Sequence, residues 1–303
     1  MDRRCSLCPR GCEADRGAGQ VGVCGQSNDI KIARAALHMW EEPCISGNRG
    51  SGTVFFSGCN LRCVYCQNHD ISAEGFGLTI TEERLTEIFF ELKEKGAQNI
   101  NLVTPTHFVP EIRRALLKAK EQGLDLPIVY NCGGYESVES LKSLNGLVDI
   151  YLPDFKYMDE QRGLKYSKVA DYPKRAMEAL SEMHRQVPVP LFAEDGMMRR
   201  GVIVRHLLLP GGLADSKAVV RYLYETYGDS VYISLMSQYT PMPHICENGD
   251  FPELAHLVKA MHYNRLVDYA LNMGVVNAFI QEGESASESF IPPFTLEGVI
   301  HEK

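Results

Sequence analysis

Eight residues, Cys59-Asn60-Leu61-Arg62-Cys63-Val64-Tyr65-Cys66, constrain this chain more than any other stretch. The spacing C-x3-C-x2-C, with an aromatic residue just before the third cysteine, supplies three thiolates from one tight loop. An ordinary cubane iron–sulfur cluster takes four cysteines, so three leave one iron with an open position. Catalytic zinc is built on the same plan, with three protein ligands and a fourth position for substrate. The plainer alternatives are a zinc site completed by His69 or Asp70, or unconnected core thiols, since buried free cysteine behaves as a small hydrophobe. Three cysteines within eight residues, in a loop carrying Gly58, Asn60 and Asn68, do not look like core packing.

The rest of the cysteine inventory points the same way. The 303 residues include ten cysteines, and eight of them lie in the first 66 positions. In a reducing compartment, clustered cysteines indicate metal binding or catalysis rather than disulfides. A cytoplasmic address is expected, because the N-terminus has no apolar signal region and no run approaches the length of a membrane helix. An apolar fraction of 45% and a charged fraction of 23% are those of a globular protein. The net charge of −8 argues against nucleic acid as a partner. The basic pairs Arg3-Arg4, Arg113-Arg114 and Arg199-Arg200 are short and scattered, as on a solvated edge.

Residues 1–50 are rich in Cys and Gly, with short candidate strands such as Ile30–Ala33. From Thr53 a pattern of strand, loop and helix repeats. Thr53–Ser57 reads as a β-branched and aromatic strand running directly into the three-cysteine loop. Thr81 caps a helix with Leu85, Ile88, Phe89 and Leu92 at helical spacing, ending before Gly96. Further strands are expected at Asn99–Val103, Pro127–Asn131, Val148–Leu152, Val202–Leu209 and Val231–Leu235. Helices are expected from Pro110, over 136–144, in stretches to about 187 and over a long segment near 252–273, before a closing strand at Val275–Ile280. Strands alternating with helices imply parallel βαβ units, and six or seven of them suit a barrel or partial barrel with its site at the carboxyl ends of the strands. Three parts follow: a cysteine-rich N-terminal segment over 1–50, a barrel over 51–281 and a C-terminal tail over 282–303. The small, acidic run from Glu282 to Ser289 reads as a mobile surface loop.

Within the N-terminal segment, Cys5, Cys8, Cys12 and Cys24 give C-x2-C-x3-C-x11-C. Four thiolates in twenty residues can close a tetrahedral zinc site or hold a second cubane. A glycine-rich segment with little core often needs such a staple. Cys44 could replace one of the four, and Cys246 reads as a lone thiol.

Three segments together carry a family resemblance: Cys59 to Asn68 with Ile71-Ser72, Leu152-Pro153-Asp154-Phe155-Lys156-Tyr157, and Arg205-His206-Leu207-Leu208-Leu209-Pro210-Gly211. With them the chain resembles the radical SAM activating enzymes of glycyl radical enzymes, and in particular the pyruvate formate-lyase activating enzyme-like branch. The resemblance covers roughly residues 50–280 and implies an α/β fold, a partial (β/α)6 radical SAM barrel. It implies a [4Fe-4S] cluster held by Cys59, Cys63 and Cys66, with S-adenosyl-L-methionine (SAM) chelating the open iron. A reduced cluster would pass one electron to the sulfonium, methionine would leave, and a 5′-deoxyadenosyl radical would abstract hydrogen from substrate. The cofactor supplies the difficult chemistry and the protein positions it.

By position in the family motifs, Tyr65 packs over the cluster or near the adenine, with a plain buried aromatic as its alternative, and Asn131 with Cys132 ends the strand that reaches the SAM ribose or carboxylate. Lys156 and Arg205 could hold the SAM carboxylate by charge-assisted hydrogen bonds. Ion pairs with Asp154 or Glu194 are their ordinary alternative. Many relatives place Gly-Gly-Glu after the second strand, where this chain has Val103-Thr104-Pro105-Thr106-His107. Thr104 or Thr106 could accept the bonds of the SAM amino group there, and His107 reads as a structural hydrogen-bonding residue or a substrate-side acid/base. The expected partners are a glycyl radical enzyme or a peptide, together with an electron donor such as flavodoxin or ferredoxin. Radical modification of a peptide or small metabolite, and a non-enzymatic metal-binding scaffold, are the competing functions.

Overall fold

The computed structural model describes residues 4–281 and 292–300; the acidic run from Glu282 to Ser289 lies outside the described residues. Among those described, the strands are β1 (Lys31–His38), β2 (Ser51–Phe56), β3 (Leu78–Thr79), β4 (Ile100–Val103), β5 (Ile128–Cys132), β6 (Ile150–Pro153), β7 (Leu191–Phe192), β8 (Met198–Leu207), β9 (Tyr232–Met236) and β10 (Ala278–Ile280). The α-helices are α1 (Pro43–Ser46), α2 (His69–Ser72), α3 (Glu82–Glu94), α4 (Val109–Glu121), α5 (Val138–Ser143), α6 (Glu160–Ser167), α7 (Tyr172–Gln186), α8 (Leu213–Tyr227), α9 (Pro243–Asn248) and α10 (Ala260–Met273).

One sheet runs β10-β9-β8-β6-β5-β4-β2-β1-β3, with β7 paired to β8 off this path. Every pairing from β2 to β10 along it is parallel, whereas β1 pairs antiparallel with both β2 and β3. Strand order follows chain order, as expected when each crossover helix returns the chain beside the strand it left. The architecture is the expected α/β partial barrel. Strands β2, β4, β5 and β6 are buried along their whole length, because a parallel sheet is covered on both faces.

Local chemistry explains the elements. The Thr81 side chain accepts the Arg84 N–H at the start of α3, and Glu82 and Glu83 complement its N-terminal dipole. Leu85, Ile88, Phe89 and Leu92 form the buried stripe of α3, and each such side chain contributes roughly 2 kcal/mol by leaving water. Pro110 falls in the first turn of α4, where its missing N–H costs nothing.

Three features depart from expectation. The long helix expected over 252–273 is split into a 3-10 turn at Pro252–Ala255 and α10 from Ala260. The Leu254 carbonyl is taken by the Tyr239 hydroxyl, and Leu254 itself is buried, so the chain turns there to seat it. Helix α8 was not anticipated, although Val219, Val220 and Leu223 form its buried face. The chain's ends are also woven into the barrel. β1, from the first 50 residues, pairs along β2 from Ile32–Phe56 to His38–Ser51. Residues 292–300 return to it: the Ala35 N–H donates to the Glu297 carbonyl at 2.8 Å, and Arg84 donates to the carbonyls of Gly298 and Val299.

Candidate active site

The three-cysteine loop leaves the carboxyl end of β2 and opens into a cavity of about 660 Å3 at the mouth of the barrel. Cys59, Cys63 and Cys66 all line it, and so do Tyr65, Thr104, Asn131, Lys156 and Arg205. All eight therefore face one space, whereas Thr106, the alternative acceptor for the SAM amino group, does not line it and donates its hydroxyl to Glu136 Oε1 at 2.8 Å. The eight come from the ends of β2, β4, β5, β6 and β8, so only the closing of the sheet brings them together.

The loop is held from several sides. Arg62 takes φ +49°, a left-handed turn that lets Cys59 and Cys63 face the same way. The Asn60 amide donates to the Tyr135 carbonyl at 2.7 Å, and the Val64 N–H donates to the Tyr166 carbonyl at 2.9 Å. Tyr65 is buried edge-on among Tyr157, Tyr166 and Tyr239 and accepts the Tyr157 hydroxyl at 2.7 Å. It is thus a wall under the loop.

Burial, followed by the neighbouring Cys63 and Cys66, pushes the Cys59 thiol up to about 12. Burial likewise raises Cys66, partly offset by the Ser72 hydroxyl. Thiolates in such a place require a cation, which an iron cluster supplies. Further features fit that group. The Ser72 hydroxyl is buried with no partner other than the Cys66 sulfur, and the Ser167 hydroxyl stands 3.0 Å from the Cys63 sulfur. Soft thiolate ligands with hydroxyls aimed at their sulfurs are the donor chemistry of iron–sulfur sites. Gly133 keeps the cavity clear, since a Cβ there would lie 2.7 Å from Leu61 Cδ1.

The cavity's basic residues are both partnered. Lys156 Nζ lies 2.6 Å from Asp154 Oδ2; burial opposes its charge, but Asp154 and Cys63 outweigh that and hold it protonated. Arg205 pairs with Glu41 and Glu42 at the end of β1 rather than with Glu194, which is exposed in the β7–β8 hairpin. The Glu42 pair is two-pronged, Nε to Oε1 at 2.8 Å and Nη2 to Oε2 at 2.6 Å. Burial opposes Glu42's charge, yet Arg205 holds the carboxylate below its usual range. Asn101 donates to Glu41 at 2.8 Å, completing a buried polar wall opposite the cysteines. Sequence reading missed this wall, although two adjacent glutamates directly after an apolar strand are its visible trace.

Other residues fall into place. Thr104 takes φ +59° and donates its N–H to the Asn131 carbonyl at 2.8 Å, joining the ends of β4 and β5. His107 turns away from the cavity, its Nε2 bonded to the Ser57 carbonyl at 2.7 Å, and burial lowers its pKa to about 4. Cys44 is packed among Ile45, Val129, Ile150 and Leu152, in a different hydrophobic cluster, and does not join the N-terminal cysteines. Cys246 is exposed on α9. His69 and Asp70 sit with Glu74 in an exposed group rather than beside the three thiols.

A parallel partial barrel with three soft thiols on one mouth loop, and room beside them for a nucleotide-sized ligand, defines a cofactor-dependent enzyme built around an iron–sulfur cluster. The chain belongs to the radical SAM superfamily, whose family model matches residues 53–211. Membership implies a [4Fe-4S] cluster and SAM as cofactors. An uncharacterised protein of Methanocaldococcus jannaschii is 30% identical over 247 residues, covering 79% of this chain and 67% of that one. The pyruvate formate-lyase-activating enzyme of Clostridium pasteurianum is 29% identical over 178 residues, covering 56% of this chain and 66% of the enzyme. The crystal structure of Streptococcus suis SuiB bound to precursor peptide SuiA shares the fold at TM-score 0.51 and 12% identity, over 74% of this chain and 46% of that one. The chain thus spans about two thirds of the curated relatives and under half of SuiB. No helix among the described residues is long and apolar enough to cross a membrane.

Proposed function

We propose that the protein cleaves SAM reductively at a [4Fe-4S] cluster on Cys59, Cys63 and Cys66, and directs hydrogen abstraction at a glycyl radical enzyme. The observation that carries this reading is the convergence of the three thiols with Thr104, Asn131, Lys156 and Arg205 on one cavity. When bound, the cluster and SAM supply a one-electron reduction that releases methionine and leaves a 5′-deoxyadenosyl radical. The protein's own part is positioning. Lys156 spends one of its three N–H donors on Asp154 and keeps the others for the SAM carboxylate. Arg205 gives Nε and Nη2 to the glutamates and keeps Nη1 for the cavity. Asn131 and the backbone carbonyl of Thr104 would hold the amino and ribose groups, and Tyr65 would pack beside the cluster.

Similarity to the Clostridium pasteurianum activating enzyme supports the glycyl radical target. A flavodoxin- or ferredoxin-class carrier supplies the electron, and the chemistry calls for anaerobic, cytoplasmic conditions. The stretch that carries Cys5, Cys8, Cys12 and Cys24 forms a second functional part that binds its own metal. A peptide or small-metabolite target is the second reading, and the fold shared with Streptococcus suis SuiB bound to its precursor peptide supports the peptide.

After anaerobic reconstitution and reduction, the protein should convert SAM to 5′-deoxyadenosine, and Cys63→Ala should fall to background. An intact reduced cluster that leaves SAM untouched would refute the proposal. Deuterium carried from a candidate substrate into 5′-deoxyadenosine separates the two targets, and a glycyl EPR doublet identifies the first.

A further inference from the structure

Behind the catalytic loop the N-terminal cysteines form a second site. Cys24 is buried, and Cys5, Cys8 and Cys12 are partly so. Cys8 lies within electrostatic reach of Cys12 and Cys24, and Cys24 within reach of Cys5 and Cys12, so the four thiols lie near one another. The Val23 N–H donates to the Cys12 sulfur at 3.3 Å. Gly22 lies between two of the sulfurs: a Cβ there would stand 3.1 Å from Cys12 Sγ and 3.9 Å from Cys24 Sγ. Any larger residue there would crowd the Cys12 side chain.

We propose that Cys5, Cys8, Cys12 and Cys24 hold a second [4Fe-4S] cube, fully ligated by protein and docked against the back of the catalytic loop. This deepens the reading of the N-terminal segment as a metal-binding part, and two observations favour a cube over zinc. One is ligand spacing. Three crowded cysteines followed by a distant fourth resemble ferredoxin runs more than the paired knuckles of a zinc ribbon.

The other is spread. Tetrahedral zinc, with Zn–S of about 2.3 Å, requires every pair of sulfurs to approach to about 3.8 Å. Among the described residues, only His69, Asp70 and Glu74 bring three ligand atoms within 4.8 Å of one another, so no three of these four sulfurs are that close. Cys59, Cys63 and Cys66 are also wider than that limit, and the function proposed above places a cube on them. Thiolates on separate irons must stand farther apart than thiolates on a single ion.

The docking is specific. Arg10, between Cys8 and Cys12, donates to four carbonyls: Asn60 at 2.7 Å, Leu61 at 3.3 Å, Ser167 at 2.8 Å and Lys168 at 2.9 Å. Arg62 of the catalytic loop answers by donating to the Val23 carbonyl at 3.3 Å. Gly58, the residue before Cys59, sits so close that a Cβ would lie 2.6 Å from the Cys24 carbonyl oxygen. The two metal sites are therefore back to back, with the chain of one against the chain of the other.

The test is iron, zinc and acid-labile sulfide analysis with Mössbauer spectroscopy on anaerobically reconstituted protein. Wild type should hold about eight irons per chain, and Cys59→Ala/Cys63→Ala/Cys66→Ala should keep about four of them as a cube. About four irons with one zinc in wild type would overturn the proposal, as would a triple variant carrying zinc or no metal. The triple variant cannot cleave SAM whatever its second site holds, so this result is independent of the proposed reaction. Should the variant fail to fold, the wild-type metal count decides alone.

Discussion

The two cysteine sets of this protein are opposites built from the same ligand. Cys59, Cys63 and Cys66 hang on a loop at the end of a fully buried strand, with a cavity of about 660 Å3 in front of them. Cys5, Cys8, Cys12 and Cys24 lie in a segment almost without a core, where Ala14, Cys24, Arg16 and Gln26 are among its few buried side chains. The barrel positions its thiols by strand packing, whereas the N-terminal segment borrows order from arginines. Arg16 shows the same borrowing, with its guanidinium donating to the Gln26 carbonyl and lying 5.7 Å over the Phe108 ring of the barrel. In the proposed arrangement an open ligand set sits on rigid scaffolding, and a closed set is itself the scaffolding.

The contrast can be tested by pH. The first 37 residues contain no histidine, while the barrel buries His107 and His206. His206 Nδ1 bonds to the Phe155 carbonyl at 2.7 Å, its Nε2 has no partner, and burial lowers its pKa to about 4. The unfolded chain therefore binds the proton first as pH falls from 6.5 towards 4, and stability drops across that window. Such a shift corresponds to roughly 3 kcal/mol. His206→Asn keeps an N–H for Phe155 and should flatten this part of the pH profile in chemical denaturation. An unchanged slope would show that the barrel's acid sensitivity lies elsewhere.

A smaller effect is expected where the two regions meet. Arg10→Ala removes four hydrogen bonds to carbonyls of the catalytic loop and the end of α6, and should cost about 2 kcal/mol. Arg10→Lys keeps the charge without the planar fork and should recover only part of it. Anaerobic thermal melts with limited proteolysis of the N-terminal segment provide the measurement. Equal melts for all three proteins would mean that the two regions do not support each other.

The smallest effect concerns the cluster's electronics. The Ser167 hydroxyl stands 3.0 Å from Cys63 Sγ and 2.9 Å from the Tyr157 hydroxyl. A hydrogen bond to a ligating sulfur eases reduction, so Ser167→Ala should lower the midpoint potential by roughly tens of millivolts. Redox titration followed by EPR reads this directly, and a potential that does not move would remove Ser167 from the site.

Much of the barrel was legible because its signals are local. Thr81 caps α3, Pro110 starts α4, and short β-branched runs mark β2, β4, β5 and β6. The three-cysteine loop was legible because spacing alone limits what three thiols can bind. The segment after Ala255 misled because its composition suits a helix, while the turn there depends on Tyr239, which comes from another element. The partner of Arg205 was misjudged for the same reason: Glu41 and Glu42 are 164 and 163 residues away in the chain.

The sequence by itself determined the cysteine spacing, the alternation of strand and helix, and hence the barrel and its family. These depend on spacing and periodicity, which a chain carries before it folds. Only the tertiary structure decided which residues share the cavity, that Glu41 and Glu42 claim Arg205, and that the N-terminal cysteines lie against the back of the catalytic loop. Those facts rest on contacts between distant segments, and such contacts exist only once burial has brought the strand ends together.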